Sequence, residues 1–255
     1  MYIELDDFRQ SYVVAKNEIR KFLRGRRFII YILLTVLAFS LLTSVSYFYE
    51  DRVLLMFGNV VSLYLFFMQI LIIVAAILFA SVVIVSEFEE RTALVLFTRP
   101  IKKTSIFIGK MVGCIVLETV MIVVYYLGVA AAALFFDGHI SEVLFVSLGV
   151  AFLFILATTG VAILISSIVK KASTSTLLTF AFLLFILSIV SMLFAVSGND
   201  PWFMLDQAAN SIGPTVTFEG ETLILSEPAK AAGVMAIWGA VTTILAWFAF
   251  IKREF

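Results

Sequence analysis

The chain has 255 residues, of which 62% are hydrophobic and 14% are charged, and its mean hydropathy is +1.11. Soluble domains contain about 45–50% apolar residues, so this composition excludes a soluble globular protein. The 18 basic and 18 acidic residues balance, and net charge therefore says nothing about binding partners.

Membrane-spanning helices dominate the predicted elements. An α-helix needs about 20 apolar residues to cross the hydrocarbon core of a bilayer. The sequence contains six such stretches, at residues 28–49, 60–85, 111–136, 143–169, 177–197 and 231–250. We therefore predict an all-α integral membrane protein with six transmembrane helices in a single domain over residues 1–255.

The basic residues indicate the orientation. With a cytoplasmic N-terminus, 16 of the 18 Lys and Arg residues fall in cytoplasmic segments, and only Arg52 and Lys230 lie outside. The positive-inside rule therefore places both termini in the cytoplasm. Because these charges lie at span ends, as topology demands, they give no indication of nucleic-acid binding.

Residues 1–27 are predicted to form a cytoplasmic amphipathic segment before the first span. One helical face would be apolar, with residues at the three- or four-residue spacing of a helix. These are Phe8, Tyr12, Ala15, Ile19 and Phe22. We expect an interfacial helix over 2–23, with basic residues on its other face. A simple elbow into the membrane and a partner-docking surface both fit this pattern.

The second span places Ser62, Phe66, Gln69 and Ile73 on one helical stripe. Gln69 falls near the middle of the membrane, where its amide has to find hydrogen-bond partners away from lipid. Those partners lie either at a helix interface or along a polar path.

Residues 86–110 form a patterned cytoplasmic loop between the second and third spans. A short helix is expected to begin with acids, which the helix dipole favours in a first turn. These acids are Glu87, Glu89 and Glu90. Pro100 then ends the helix and biases Arg99 toward an extended backbone. The result would be a short helix lying against the membrane face.

In order, this loop contains Glu87, Glu89, Thr92, Leu94, the run Arg99-Pro100-Ile101, Lys103, Ile106 and the pair Gly109-Lys110. This order resembles the first cytoplasmic loop of type-2 ABC exporter permeases, the transmembrane subunits of ABC transporters. The six-span layout, the amphipathic start and a long segment before the last span match the same family over nearly the whole chain.

The resemblance implies that the loop is a coupling helix that docks into a cytoplasmic ABC ATPase; an ordinary solvated loop is the alternative. The coupling residues would be Glu87, Glu89, Glu90, Thr92, Arg99 and Pro100. The chain has no G-x-x-x-x-G-K-[ST] motif, so we expect no enzyme activity and no cofactor here. ATP and Mg²⁺ would bind the ATPase subunits, and a second permease would complete a dimer.

Glu118 is the one clear acid within a predicted span, on the order of 12 Å deeper than Lys110 at the rise of an α-helix. Intramembrane acids are costly and usually face protein or water, which makes Glu118 a functional-site candidate. A protonated or hydrogen-bonded packing residue is the alternative.

The single Cys114 lies in the third span, and the single His139 follows that span in a short outer loop. A lone cysteine excludes an intramolecular disulfide and a thiolate metal site. A lone histidine excludes an H-E-x-x-H zinc site, and its place in the outer loop excludes a Ser-His triad inside the membrane. We therefore expect no catalytic residues and no metal.

The resemblance also implies that the second and fifth spans of two protomers line a central route. The candidate translocation path is then Ser62, Phe66, Gln69, Ile73, Phe180 and Phe185. Plain packing is the alternative for the aromatic residues of the fifth span.

Residues 198–230 are too long for a minimal connection and too polar to span. We expect a small extracytoplasmic subdomain, with a short interfacial helix over 201–205 and a hairpin that pairs 215–218 with 221–224.

These patterns together predict a multi-pass permease of the cell membrane. As a dimer coupled to separate cytoplasmic ATPase subunits, it would export a hydrophobic or amphipathic substrate by alternating access. The alternative is a membrane anchor that recruits a cytoplasmic partner without transport. An intramembrane enzyme is a third class, which the absence of paired catalytic groups disfavours.

Overall fold

The computed structural model describes residues 5–57, 59–89, 102–136, 138–213, 215–218, 221–224 and 227–253. The described helices are α1 (Leu5–Leu23), α2 (Arg26–Phe48), α3 (Glu50–Phe57), α4 (Val60–Leu78), α5 (Val85–Glu89), α6 (Lys103–Phe136), α7 (Val143–Ile168), α8 (Ala172–Ala181), α9 (Leu187–Val196), α10 (Leu205–Ala209) and α11 (Pro228–Lys252). A 3₁₀ turn, Ala80–Val82, joins α4 to α5, and a π-helical turn, Phe182–Ile186, joins α8 to α9.

Six helical segments are long and apolar enough to cross a membrane, which confirms the predicted number. They are Arg26–Phe48, Val60–Glu89, Lys103–Phe136, Val143–Ile168, Ala172–Val196 and Pro228–Lys252. Each overlaps the range expected from the sequence, because the thickness of the hydrocarbon core sets the length of the apolar run.

The two ends of the helix bundle differ in what packs there. At one end, the terminus end, α1 lies along the start of α6, and Arg253 after α11 contacts the end of α7. At the other end, the hairpin end, strand β1 (Thr215–Phe218) pairs antiparallel with β2 (Glu221–Ile224) and contacts α3. These strands comprise the residues that the sequence analysis pairs.

Helix α4 lies at the centre of the bundle, where it contacts α2, α6 and α7. Leu65, Met68 and Ile72 on this helix are fully buried. A helix that is hydrophobic all round is expected to be buried, and α4 follows this rule over most of its surface, although Ile70 is 39% exposed.

Helix α1 packs directly on α6 at two glycines. A Cβ at Gly109 would lie 2.6 Å from the carbonyl oxygen of Ser11 and 2.7 Å from the Cβ of Val14. One turn further, a Cβ at Gly113 would lie 3.2 Å from the carbonyl oxygen of Ala15. Small residues let helix backbones approach closely, and this pair therefore fixes α1 against the bundle.

Only part of the apolar face predicted for α1 packs against the bundle. Phe8 and Tyr12 are each 66% exposed, whereas Ala15 and Phe22 are buried. The buried side of the helix also contains Glu18, because that carboxylate meets a lysine of α6. An ion pair therefore sets the rotation of α1 together with its apolar residues.

The short helix expected over 201–205 is displaced along the chain. Residues 201–204 form a turn in which the Met204 N–H donates to the carbonyl oxygen of Pro201 at 2.9 Å. Helix α10 begins only at Leu205 and packs against α9 and α11. The fold-back brings α10 beside the fifth span.

Candidate functional site

A buried ion cluster holds three helices together at the terminus end. The Nζ atom of Lys110 in α6 donates to Glu18 Oε2 of α1 at 2.8 Å and to Glu87 Oε1 of α5 at 3.0 Å. It also donates to the carbonyl oxygen of Val83 at 3.1 Å. Because an unpaired charge in this environment is costly, the cluster ties α5 to α1 and α6. Helix α5 leads into the predicted coupling loop.

A second set of contacts ties α5 to the turn between α7 and α8. Glu89 Oε2 accepts the backbone N–H of Ala172, the first residue of α8, at 2.7 Å. The Ser166 hydroxyl oxygen accepts the N–H groups of Ile84 and Val85 at 3.2 and 3.0 Å. The Glu89 carboxylate at the start of α8 and the Ser166 hydroxyl at the start of α5 accept hydrogen bonds from N–H groups that lack intrahelical partners. Displacing α5 would therefore displace α8.

The structure describes two of the predicted coupling residues, Glu87 and Glu89, and gives each an intramolecular partner. Glu90, Thr92, Arg99 and Pro100 lie outside the described residues. The two described carboxylates therefore position the start of the loop within the permease itself.

Arg253 closes the same end of the bundle. Its Nη1 atom donates to the carbonyl oxygens of Ser166 and Ser167 at 3.2 and 3.0 Å, and Nη2 donates to that of Val169 at 2.8 Å. The guanidinium carbon also lies 4.0 Å from the centroid of the Phe88 ring. Burial lowers the pKa of this guanidinium from its usual value. The side chain thus caps the C-terminus of α7 and covers α5, as the helix dipole and cation–π attraction favour.

A cleft of about 370 Å³ lies between α4, the α8–α9 span and α10. We call it the α4–α9 cleft. Its polar lining groups are Gln69, Ser188, Ser191, Asp206, Gln207 and Asn210. Ile73, Phe154, Leu183 and Leu187 belong to its apolar lining. Asp206 of α10 lies beside Ser191 of α9, and Leu187 and Leu183 line the cleft at earlier positions of the same span.

The predicted path residues of the second span separate into two groups. Gln69 and Ile73 line the α4–α9 cleft, as one stripe of α4 predicts. Ser62 is buried at the start of the helix, and Phe66 packs its ring against Phe57 with centroids 5.9 Å apart. Neither belongs to the cleft lining.

The π-helical turn Phe182–Ile186 forms part of the opposite wall. Leu183 and Leu184 from this turn line the cleft. Phe180 and Phe185, the predicted path residues of this span, are 39% and 53% exposed and pack their rings together outside the lining. Single π-helical turns within α-helices are frequent at functional sites.

Glu118 lies within a helix interface. Its side chain is fully buried, and Oε2 accepts the Thr159 hydroxyl of α7 at 2.7 Å. The other oxygen, Oε1, has no hydrogen-bond partner among the described residues. Since Glu118 does not line the α4–α9 cleft, its contact with Thr159 is what the structure assigns to it. Both interpretations of Glu118, as a functional acid and as a packing residue, stay predictions.

Sequence reasoning missed several of these side chains. Glu18 had a usable signal, because an acid three residues after Ala15 and four before Phe22 must share their helical face and find a buried partner there. Asp206 and Ser191 had no such signal. They come together only because α10 folds back beside α9, where the Ser191 hydroxyl donates to Asp206 Oδ1 at 2.6 Å.

Comparison with known proteins identifies the architecture. The family model described as ABC-2 family transporter protein matches residues 12–255, a region that contains all six candidate spans. No curated protein matches the chain. The matched region also includes the loop residues that resemble the type-2 permeases. The chain therefore belongs to the ABC-2 family of transporter proteins, and it is a membrane permease component of an ABC transporter.

Proposed function

We propose that this chain is the permease subunit of an ATP-driven exporter that moves a hydrophobic or amphipathic substrate across the cell membrane. The observation that carries the proposal is the α4–α9 cleft, whose walls come from the second and fifth spans. The lining combines apolar side chains with a few polar groups, which include Gln69 of α4, Ser191 of α9 and Asp206 of α10. Sites for small amphipathic molecules have this combination of apolar walls and a few placed polar groups.

The orientation of the chain in the membrane follows from the distribution of its basic residues, and its energy supply follows from its family. The terminus end contains most of the basic residues and is placed in the cytoplasm by the positive-inside rule. Residues 198–230 then form the extracytoplasmic subdomain. Family membership implies association with cytoplasmic ABC ATPase subunits. These subunits bind ATP and Mg²⁺, and a homodimer of permeases alternates its access between the two sides.

The coupling path runs through α5. An ATPase that moves the part of the coupling loop after Glu89 pulls on α5, and Glu89 passes the movement to Ala172 at the start of α8. Helix α8 continues into the π-helical turn that lines the cleft. Lys110 holds the other side of α5 to α1 and α6, so the movement has a fixed point. A chain of packed elements with direct contacts is the physical requirement for such coupling.

Copurification of the permease with its ATPase tests this function. Arg99→Ala should weaken the association about tenfold, because truncating a central Arg of an interface commonly has this effect. Arg24→Ala is the matched control, since Arg24 is an exposed basic residue of the same end, before α2. It should leave the complex unchanged.

The same preparation separates transport from anchoring. ATP hydrolysis that rises with substrate, and falls in Arg99→Ala with the yield of folded permease unchanged, supports coupling. Unchanged association and hydrolysis in Arg99→Ala would remove the coupling role from the loop. A stable complex whose hydrolysis no amphiphile alters would favour the membrane anchor.

A further inference from the structure

The charge within the α4–α9 cleft has one sign. Its described lining contains a single acid, Asp206, and no Lys, Arg or His. No ion pair is found for Asp206 within the described ranges. Ser191, which is 1% exposed, donates to one carboxylate oxygen and so fixes the direction of the group. A carboxylate accepts several hydrogen bonds, which leaves capacity for a ligand.

The remainder of the cleft favours one hydrocarbon tail. Leu187 and Leu183 lie about one and two helical turns before Ser191, the residue that contacts Asp206, and Ile70, Ile73 and Met192 add to the apolar lining. Methionine adapts its shape to different apolar partners. A volume of about 370 Å³ is near the lower end of small-molecule sites, which range over about 300–1,000 Å³. The cleft therefore accommodates one tail more readily than two.

The charge decides which head group fits. An anionic head would meet the Asp206 carboxylate with no basic side chain in the described lining to compensate. A neutral head would find hydrogen bonds at Gln207 and Asn210, but it would gain nothing from the carboxylate charge. A cationic head gains both a charge-assisted contact and the surrounding polar groups.

We propose that the α4–α9 cleft binds a single-chain cationic amphiphile, with the positive head at Asp206 and the apolar tail along Ile73 and Leu187. The proposal rests on the proposed function, because it names the substrate class of the same cleft. Asp206 is then the residue that determines specificity for the head group.

Direct binding to the full-length permease in phosphatidylcholine nanodiscs tests the site. The probe is a fluorescent primary alkylammonium amphiphile with one dodecyl tail, whose head group has N–H donors for Asp206, and the control ligand is its hydroxyl-headed analogue. A two-tailed primary ammonium analogue distinguishes a bilayer lipid from a free amphiphile as the source. We expect the single-tailed cation to bind most tightly.

Asp206→Asn should raise the Kd of the cationic probe about tenfold, the usual loss for a hydrogen bond to a charged group, with little change for the neutral analogue. The matched control is Asp200→Asn, an exposed acid of the same end that lines a different cleft. Asp206→Glu should retain binding, which separates loss of charge from misfolding. Ala195→Trp, at an exposed lining position, should weaken both ligands by filling the cleft.

Equal Kd values for the cationic and neutral ligands, or equal effects of Asp206→Asn and Asp200→Asn, would overturn the proposal. ATP hydrolysis by the complex with its ATPase distinguishes this failure from that of the exporter. Binding that depends on Asp206 without any stimulation of hydrolysis would support the site and overturn the exporter. Stimulation by neutral amphiphiles that Asp206→Asn leaves unchanged would support the exporter and overturn the site.

Discussion

Lys110 shows how this protein stabilises a buried charge. Lys110 is 3% exposed, and Glu18 beside it is 5% exposed. Removing water from both groups is costly, and their attraction offsets that cost only while each partner stays in place. The cluster therefore contributes less to net stability than to fixing where α1 and α5 sit on α6.

Removing one partner should expose this dependence. Lys110→Met leaves the Glu18 carboxylate buried without its cation, and we expect a loss of about 3–5 kcal/mol in the free energy of unfolding. Chemical denaturation in detergent micelles measures it. The control is Lys230→Met, because Lys230 pairs with Glu227 at 2.9 Å with both side chains well exposed, and such pairs contribute at most about 1 kcal/mol.

The double variant Lys110→Met, Glu18→Leu sharpens the comparison. It removes both buried charges, and we expect it to recover part of the lost stability because apolar groups replace the ion pair at low cost. A Lys110→Met protein as stable as Lys230→Met would contradict the burial argument.

At the scale of the elements, Arg253 holds the end of α7 against α5. The guanidinium serves three carbonyl oxygens at one helix C-terminus, at distances from 2.8 to 3.2 Å. The guanidinium reaches them from two nitrogens held apart in one plane, and the single Nζ of a lysine does not reproduce this geometry, so a lysine cannot replace it fully. This contact joins the sixth span to α5, which begins the proposed coupling loop.

Arg253→Ala should lower the free energy of unfolding by about 1–2 kcal/mol, the effect of a partly buried cation at a helix C-terminus. Arg253→Lys should fall between Arg253→Ala and the wild type. Lys252→Ala, at the exposed neighbouring position, is the control and should change stability little. Thermal unfolding of the three variants in one detergent gives the order, and a Lys252→Ala effect as large as that of Arg253→Ala would argue against the cap.

The positions of the spans were predictable from the sequence. Which face of each helix packs against the rest of the protein was only partly predictable. A run of about 20 apolar residues has few alternatives in a bilayer, which is why each predicted range overlaps a helix. Two residues of the stripe on α4, Gln69 and Ile73, line a common cleft, and their part in a translocation path stays a prediction. Ser62 is buried instead, and periodicity cannot select one face of a helix that is packed over most of its surface.

Long-range contacts explain the remaining differences. The rotation of α1 depends on Lys110, which lies 92 residues after Glu18 in the chain. The π-helical turn Phe182–Ile186 has no punctuating Gly or Pro to announce it. The pair of strands 215–218 and 221–224, in contrast, is a local element, and the sequence located its strands to the residue.

At the scale of the whole molecule, the exposed apolar surface beside the α4–α9 cleft has to be covered by lipid or by protein. The α9 wall of the cleft continues into exposed apolar residues, among them Ile189 and Met192, which are 55% and 67% exposed. Lipid or a second protomer covers such a surface in a membrane. Most homo-oligomers are closed and symmetric, and a two-fold axis beside α9 would bring two clefts together in the proposed homodimer.

Cross-linking between protomers tests this arrangement. Ile189→Cys, in a Cys114→Ala background, should form a covalent dimer with a short bifunctional thiol reagent, because a two-fold axis beside α9 places the two cysteines near each other. Val124→Cys is the matched control, since Val124 is 59% exposed on α6. Denaturing gel electrophoresis after cross-linking in native membranes separates the two variants. Dimers from both variants in equal yield would indicate random collision, and dimers from Val124→Cys alone would move the interface to α6 and leave the α4–α9 cleft facing lipid.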